Sequence, residues 1–113
     1  MKLINLLKSE KLSLSFEVFP PKVSSSFDSV KTATEEIAKL KPSFMSVTYG
    51  AGGGTSEYTT AICEALNGFG VTALAHLTCV SSNRGRIESE LEKLRSHGIG
   101  NILALRGDIP AGF

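Results

Sequence analysis

The sequence predicts an α/β protein whose parallel strands are covered by helices. Short apolar segments alternate with segments whose apolar residues recur at helical spacing, in the order β, α, β, α, β, α, β. The strand segments are almost continuously apolar, which is typical of parallel strands buried on both faces. Connections are short, and the βα unit recurs at roughly 28 residues, as successive units of a parallel sheet do. We therefore expect residues 1–113 to form a single domain.

The first half of the chain contains two predicted helices and two predicted strands. A short amphipathic helix near residues 2–9 precedes a strand at residues 14–19, and the following proline pair stops that strand because proline cannot donate to a sheet ladder. Helical spacing then covers residues 27–40, with Ser26 as a candidate N-cap. A second strand at residues 44–50 leads into the loop AGGGT.

The second half of the chain repeats this alternation. Helical spacing over residues 58–69 is followed by a strand at 71–78, a helix within 81–98 that Gly98 stops, and a strand at 101–106. The side chains expected to face the core are Phe27, Val30, Thr34, Ile37, Tyr58, Ile62, Ala65, Leu66, Phe69, Ile87, Leu91 and Leu94.

Charge and cysteine content exclude several classes of function. Lys plus Arg number 12 against 11 for Asp plus Glu, so no positive excess suggests a nucleic acid or an anionic membrane as partner. Cys63 and Cys79 form no CxxC motif and have no histidine cluster beside them, so we expect buried thiols in a reducing compartment and no metal site. The first residues are too short for a spanning helix and lack a cleavage site, which favours the cytoplasm.

Polar residues follow or end every predicted strand. The carboxyl ends of parallel strands in α/β folds meet at one edge and carry the ligand site, so residues far apart in sequence converge there. The candidates at this edge are Glu17, Thr48, Tyr49, His76, Thr78, Arg106 and Asp108.

Each candidate also has a purely structural interpretation. Glu17 lies in an apolar strand, where a carboxylate without a partner is costly, so function is favoured over a structural hydrogen bond. His76 in an apolar strand is more often a core histidine than a ligand. Without a P-loop lysine, AGGGT is more typical of a turn than of a phosphate cradle. Tyr49 suits packing as well as stacking, and Asp108 could pair with Arg106.

Four ordered segments closely resemble methylenetetrahydrofolate reductases. They are SFEVFPPK, SVTYGAGGGT, AHLTC and LALRGDIP, one on each predicted strand, and the resemblance extends from about residue 13 to the end. It implies an eight-stranded (β/α) TIM barrel that holds FAD and uses NADH or NADPH to reduce 5,10-methylenetetrahydrofolate to 5-methyltetrahydrofolate. The implied partners are these small molecules, and we separately expect a homo-oligomer.

The resemblance implies two catalytic carboxyl groups. Glu17 matches the glutamate of the family's FE-x-FPP motif, the general acid that opens the folate five-membered ring so that an iminium accepts hydride from flavin. An acid working near neutral pH must hold its proton, and we expect an apolar strand end to favour the protonated form by desolvation. Asp108 matches an aspartate near the flavin ring and the pterin, where negative charge disfavours anionic reduced flavin.

The remaining site residues carried over from the family are cofactor contacts. Thr48 matches a position near the nicotinamide, and the LRGD segment would line the flavin, with Gly107 allowing close approach of the backbone. The implied cofactor-binding residues are Thr48, Tyr49, Ala51, His76, Arg106, Gly107 and Asp108.

The sequence accounts for about four β/α units, which is half of such a barrel. A complete barrel takes roughly 250 residues. Three explanations account for this length: a fragment of a longer protein, a partial gene, or two half barrels that associate to close the sheet. We favour a fragment. A four-stranded sheet with two open edges and one exposed apolar face is expected to self-associate.

Two other functions fit the same residues. One is a non-catalytic half barrel that binds a ligand or a partner, which the absence of bound yellow flavin would indicate. The other is a glycosidase-like site with Glu17 and Asp108 as paired carboxylates, although the chain has no tryptophan to serve as a sugar platform.

Overall fold

The computed structural model describes residues 2–9, 11–21, 24–49, 56–80 and 82–109. Helices and strands alternate as the sequence predicts, with most bounds shorter by one to three residues. In chain order the elements are α1 (Leu3–Leu7), β1 (Ser15–Val18), a 3-10 turn (Ser24–Ser26), α2 (Phe27–Ala38), β2 (Phe44–Val47), α3 (Ser56–Gly68), β3 (Ala73–Thr78), α4 (Arg84–Ser96) and β4 (Ile102–Leu105).

The four strands form one parallel sheet in the order β1-β2-β3-β4, which confirms the predicted α/β class. Because spatial order equals chain order, each helical connection moves the chain one strand further in the same direction. That is the arrangement of a (β/α) barrel, whereas a doubly wound sheet reverses direction at a switch point. The register pairs Glu17 with Ser46 and His76 with Leu103.

One face of the sheet packs against the helices and forms the hydrophobic core. Side chains along a strand alternate between the two faces of the sheet, so every second residue of each strand points to this face. Ile62 and Leu66 of α3 and Leu94 of α4 are buried against it, and Thr34 and Ala38 of α2 are also buried. The strand residues buried on this face are Val18, Met45, Val47, Ala73, Ala75 and Leu77.

We call the opposite side of the sheet the open face. The register places Glu17, Ser46, His76, Thr78 and Leu103 on this side. In a closed barrel this face would point into the interior, where side chains of all strands pack in layers. The open face is therefore where a site of the barrel type is expected.

β4 is exposed in the described part of the chain, in keeping with the open edge expected of a four-stranded sheet. Ile102, Leu103 and Leu105 remain 36%, 40% and 38% exposed, because β4 lies at an edge of the four-stranded sheet. Leu91 and Phe69, both predicted to face the core, are 39% and 48% exposed. Leu94 on α4 is buried as predicted.

Glycine and asparagine determine several helix ends. Gly70 and Gly98 have φ of 78° and 76° just after α3 and α4, which agrees with the predicted stop at Gly98. Asn83 caps α4, with its side-chain oxygen accepting from the Arg86 N–H at 2.8 Å. Ser26 precedes α2 but makes no side-chain cap, because it ends the 3-10 turn and its backbone is already in a helical conformation. None of the described helices is long and apolar enough to cross a bilayer.

Candidate functional site

A cavity of about 390 Å³ lies at the carboxyl ends of β2, β3 and β4. It brings together six of the seven predicted cofactor contacts, which come from three separate stretches of sequence. The lining side chains and backbone belong to Thr48, Tyr49, His76, Thr78, Val80, Leu105, Arg106, Gly107 and Asp108. Ala51, the remaining predicted cofactor contact, lies outside the described residues.

The chain after β4 is fixed against the end of β3 by backbone hydrogen bonds. The N–H of Val80 donates to the carbonyl of Arg106 at 2.8 Å, and the N–H of Cys79 donates to that of Leu105 at 3.0 Å. Gly107 follows with φ of 86°. A Cβ at this position would lie 2.9 Å from the Cβ of Thr78, so only glycine allows this approach.

Arg106 and Asp108 do not form the ion pair that the sequence allowed. The Arg106 Nε donates instead to the carbonyl of Gly107 at 3.1 Å, and no salt bridge links the two side chains in the described structure. Both residues are exposed and line the cavity. A cationic guanidinium and an anionic carboxylate are therefore both available to a bound molecule.

Tyr49 provides a buried hydroxyl group that lacks a hydrogen-bond partner among the described residues. Buried polar atoms in proteins are nearly always paired, so an orphaned one beside a cavity suggests a ligand atom as its partner. The adjacent Thr48 is held by α3, because the Thr59 hydroxyl donates to the Thr48 carbonyl at 2.9 Å. Tyr49 thus follows a well-anchored strand end.

Glu17 lies beside the cavity and is linked to it through His76. The Nε2 of His76 is 3.5 Å from the Oε1 of Glu17, and the Ser46 hydroxyl donates to the same oxygen at 3.0 Å. His76 lines the cavity with a side chain only 13% exposed, so it contacts both the cavity and the acid. Ser46 was not predicted as a site residue, because its only signal in the sequence is that it is polar within an apolar strand.

The expected burial of Glu17 is wrong in this structure. Its side chain is 46% exposed, because it extends from β1 on the open face, away from the side of the sheet that α3 and α4 cover. The desolvation expected at an apolar strand end is therefore incomplete. Glu17 nonetheless has the polar neighbours that an inward carboxyl group needs.

Only one of the two cysteines is buried as predicted. Cys63 in α3 is fully buried in the core, whereas Cys79 is exposed, because it follows the last residue of β3 and leaves the sheet. Among the described residues, no three His, Cys, Asp or Glu side chains come together in a way that could hold a metal ion.

A second concavity of about 710 Å³ lies at the opposite end of the sheet, near Lys2, Thr72, His97 and Asn101. None of the predicted site residues lines it. Since barrel folds place their sites at the carboxyl ends of strands, we assign the functional site to the smaller cavity.

The fold and the cavity together define a protein of the (β/α)-barrel class. Its parallel strands follow one another in chain order, and its ligand site lies at their carboxyl ends, as is usual for this class. Comparison with known families specifies it further. The profile of the family described as methylenetetrahydrofolate reductase matches residues 2–113, and the chain belongs to this family. The described β/α units are those of about half of the family's TIM barrel.

Curated relatives agree with this membership. The chain is 37% identical to "Methylenetetrahydrofolate reductase (NADH) 1" of Arabidopsis thaliana over 99% of its own length and 20% of that protein. It is 35% identical to "5,10-methylenetetrahydrofolate reductase" of Salmonella typhimurium and to the protein of that name in Escherichia coli, each over 90% of this chain and 35% of the relative. The chain thus spans about a fifth to a third of these relatives.

Proposed function

We propose that the chain supplies the first half of the catalytic barrel of a flavin-dependent 5,10-methylenetetrahydrofolate reductase. The reaction would form 5-methyltetrahydrofolate, with NADH or NADPH as electron donor. The observation that carries the proposal is the cavity in which Thr48, Tyr49, His76, Arg106, Gly107 and Asp108 meet, with Glu17 linked to it by His76.

The cavity residues offer chemistry that suits a flavin nucleotide. The orphaned Tyr49 hydroxyl can pair with a polar atom of the cofactor, and the Arg106 guanidinium can pair with its anionic phosphates. Gly107 lines the cavity and has no side chain, so its backbone would be open to close approach by a planar ring system. These three residues, together with Thr48, His76 and Asp108, are the proposed cofactor contacts.

FAD would supply two-electron chemistry, taking hydride from the nicotinamide and passing it to the folate. The part of the protein would be to orient the reactants and to place charge beside them. Asp108, exposed in the cavity and without a salt-bridge partner among the described residues, would put a negative charge near the ring and favour release of hydride. Thr48 would lie near the nicotinamide.

Glu17 would be the general acid that protonates the folate and opens its five-membered ring. A carboxyl group suits this task when it is within reach of substrate and partly shielded from water. Its position on the open face, beside His76 and Ser46, provides the access. The substrate itself and the strands that would close the barrel would complete the shielding.

The test is Glu17→Gln in a chain extended to full barrel length. Glutamine keeps the shape of the side chain but cannot donate a proton, so folate reduction should fall by roughly 100-fold or more. Reduction of bound flavin by NADH should continue, because that half-reaction needs no acid at this position. The measurement is stopped-flow absorbance of each half-reaction.

Glu64→Gln is the matched control for this variant. Glu64 also contacts a histidine, with its Oε2 2.9 Å from the Nδ1 of His97, but it lies on the outer surface of α3. This variant should leave both half-reactions unchanged. Folate reduction that persists at the normal rate in Glu17→Gln would refute the assigned role of Glu17.

A further inference from the structure

We propose that Ser46 and His76 hold one oxygen of the Glu17 carboxyl group, Oε1, and thereby make Oε2 the oxygen that delivers the proton. Ser46 is then a positioning residue that acts through Glu17. The inference rests on the proposed function, since it concerns the acid of that reaction.

Both contacts converge on the same atom. The Ser46 Oγ lies 3.0 Å from Oε1 of Glu17, within hydrogen-bond distance, and the Nε2 of His76 lies 3.5 Å from that oxygen. The parallel register pairs Glu17 directly with Ser46, so the sheet itself fixes the approach. Neither contact involves Oε2.

Ser46 is suited to hold the carboxyl group in place. It is only 8% exposed, whereas the Glu17 side chain is 46% exposed and has room to move. Its neighbours in β2, Met45 and Val47, are fully buried on the helix-covered side, so serine is the polar exception in this strand. A buried hydroxyl bonded to a more mobile acid restricts the rotamers of that acid.

The arrangement determines which oxygen carries the proton. A carboxylic acid has one hydroxyl oxygen, which donates, and one carbonyl oxygen, which accepts. The Ser46 hydroxyl donates to Oε1 when Glu17 is a carboxylate, and keeping that hydrogen bond in the acid form requires Oε1 to stay the acceptor. The proton of the acid form therefore belongs on Oε2.

The transfer step balances without another reactant. The O–H bond at Oε2 breaks and an N–H bond forms on a ring nitrogen of the folate, leaving Glu17 as a carboxylate. The negative charge is shared by both oxygens, so the donors at Oε1 stabilise the product of the transfer. His76 contributes to this when its Nε2 carries hydrogen.

Infrared spectroscopy tests the contact directly, in the 113-residue chain and without cofactor. The difference between the native chain and Glu17→Gln isolates the Glu17 carboxyl bands. We expect these bands to shift in Ser46→Ala and to remain near the native position in Ser46→Thr, which keeps a hydroxyl and suits a strand. Thermal unfolding of each variant checks that it is folded.

Ser43→Ala is the matched control for the infrared measurement. Ser43 precedes the same strand, but its hydroxyl oxygen accepts from the backbone N–H of Leu14 rather than contacting Glu17. Its removal should leave the Glu17 bands where they are. Unchanged bands in a folded Ser46→Ala would overturn the proposal.

Kinetics of the extended chain test whether the contact matters for proton delivery. Ser46→Ala should lower kcat for folate reduction roughly tenfold, with KM changed less than about twofold, and Ser46→Thr should recover most of the rate. An unchanged kcat would overturn the positioning role. Full folate reduction by Glu17→Gln would instead overturn the proposed function, while a band shift in Ser46→Ala would still show the contact.

Discussion

Gly107 lies where the chain leaving β4 passes the end of β3. Its φ of 86° is in the region that glycine adopts most readily, and an added Cβ would come within 2.9 Å of Thr78 and 3.0 Å of Val80. Two separate constraints therefore require glycine here, one from backbone conformation and one from packing. The same residue forms part of the cavity.

Gly107→Ala should lower the free energy of unfolding by roughly 2–4 kcal/mol, because strain and overpacking add. Gly98→Ala is the matched comparison, since Gly98 has φ of 76° and an added Cβ there would meet no neighbouring atom within 4 Å. It should cost only about 1 kcal/mol. Urea unfolding of both variants measures the difference, and equal losses would show that packing at Gly107 contributes nothing.

The two cysteines should differ sharply in reactivity. Burial raises the pKa of the Cys63 thiol to about 12, and the residue is fully buried, whereas Cys79 is exposed. A thiol reagent at pH 8 should therefore label one cysteine of the folded chain rapidly, and Cys79→Ser should abolish that labelling. Rapid reaction of both thiols would contradict the burial of Cys63.

The same pKa makes stability depend on pH. Above pH 9 the unfolded thiol ionises while the folded Cys63 keeps its proton, so the unfolded state is favoured as pH rises from about 9 toward 12. This group should lower the free energy of unfolding by up to about 1.4 kcal/mol per pH unit in that range. Cys63→Ala should have a shallower pH dependence.

At the residue scale, the sequence located most of the site but misjudged exposure. Thr48, Tyr49, His76, Arg106, Gly107 and Asp108 could be placed together because each follows or ends a strand, and parallel strands end at one edge. Exposure of Glu17 and Cys79 depends on which segments cover them. Ser46 was missed because a single serine in an apolar strand is common and carries no signal without its partner.

At the scale of elements, helix α4 has an N-terminal cap that α2 lacks. Asn83 accepts from the Arg86 N–H, while the Ser26 side chain forms no such bond and its carbonyl accepts from the Ser29 hydroxyl at 3.0 Å. The sequence suggested Ser26 as a cap because serine before an apolar stripe is a usual signal. The preceding 3-10 turn, which periodicity does not reveal, changed the local backbone.

Asn83→Ala should therefore lower the free energy of unfolding by about 1 kcal/mol, whereas Ser26→Ala should change it by less than about 0.5 kcal/mol. Both substitutions are made at helix starts, which makes them a matched pair. Chemical denaturation followed by circular dichroism gives the two values. A larger loss in Ser26→Ala than in Asn83→Ala would contradict the cap assignment.

The order of helices and strands could be predicted from sequence because apolar periodicity is a local property. The four strands also share one recognisable feature, a short and almost continuously apolar sequence. The bounds of the elements were predicted less accurately. The strand predicted at residues 14–19 covers only Ser15–Val18, and Phe19 is 68% exposed. The exposure of β4 follows from its place at an edge of the sheet, not from its own apolar residues. Burial of an edge strand depends on what pairs with it, which its own sequence does not contain.

At the scale of the whole molecule, the described chain has a closed core on one side of the sheet and an open face on the other. The helix-covered side buries Met45, Val47 and Ala75 completely. The open face exposes Glu17 and the leucines of β4, as half of a barrel would. Self-association through this face, a homo-oligomeric state and a cytoplasmic location remain predictions.

The most direct measurement of the central claim is flavin retention. The 113-residue chain and a chain extended to full barrel length are mixed with FAD, freed of unbound cofactor and examined by visible absorbance. We expect the extended chain to stay yellow and Arg106→Ala in that chain to lose most of the colour, because the guanidinium would no longer meet the phosphates. An extended, folded chain that retains no flavin would contradict the proposed function.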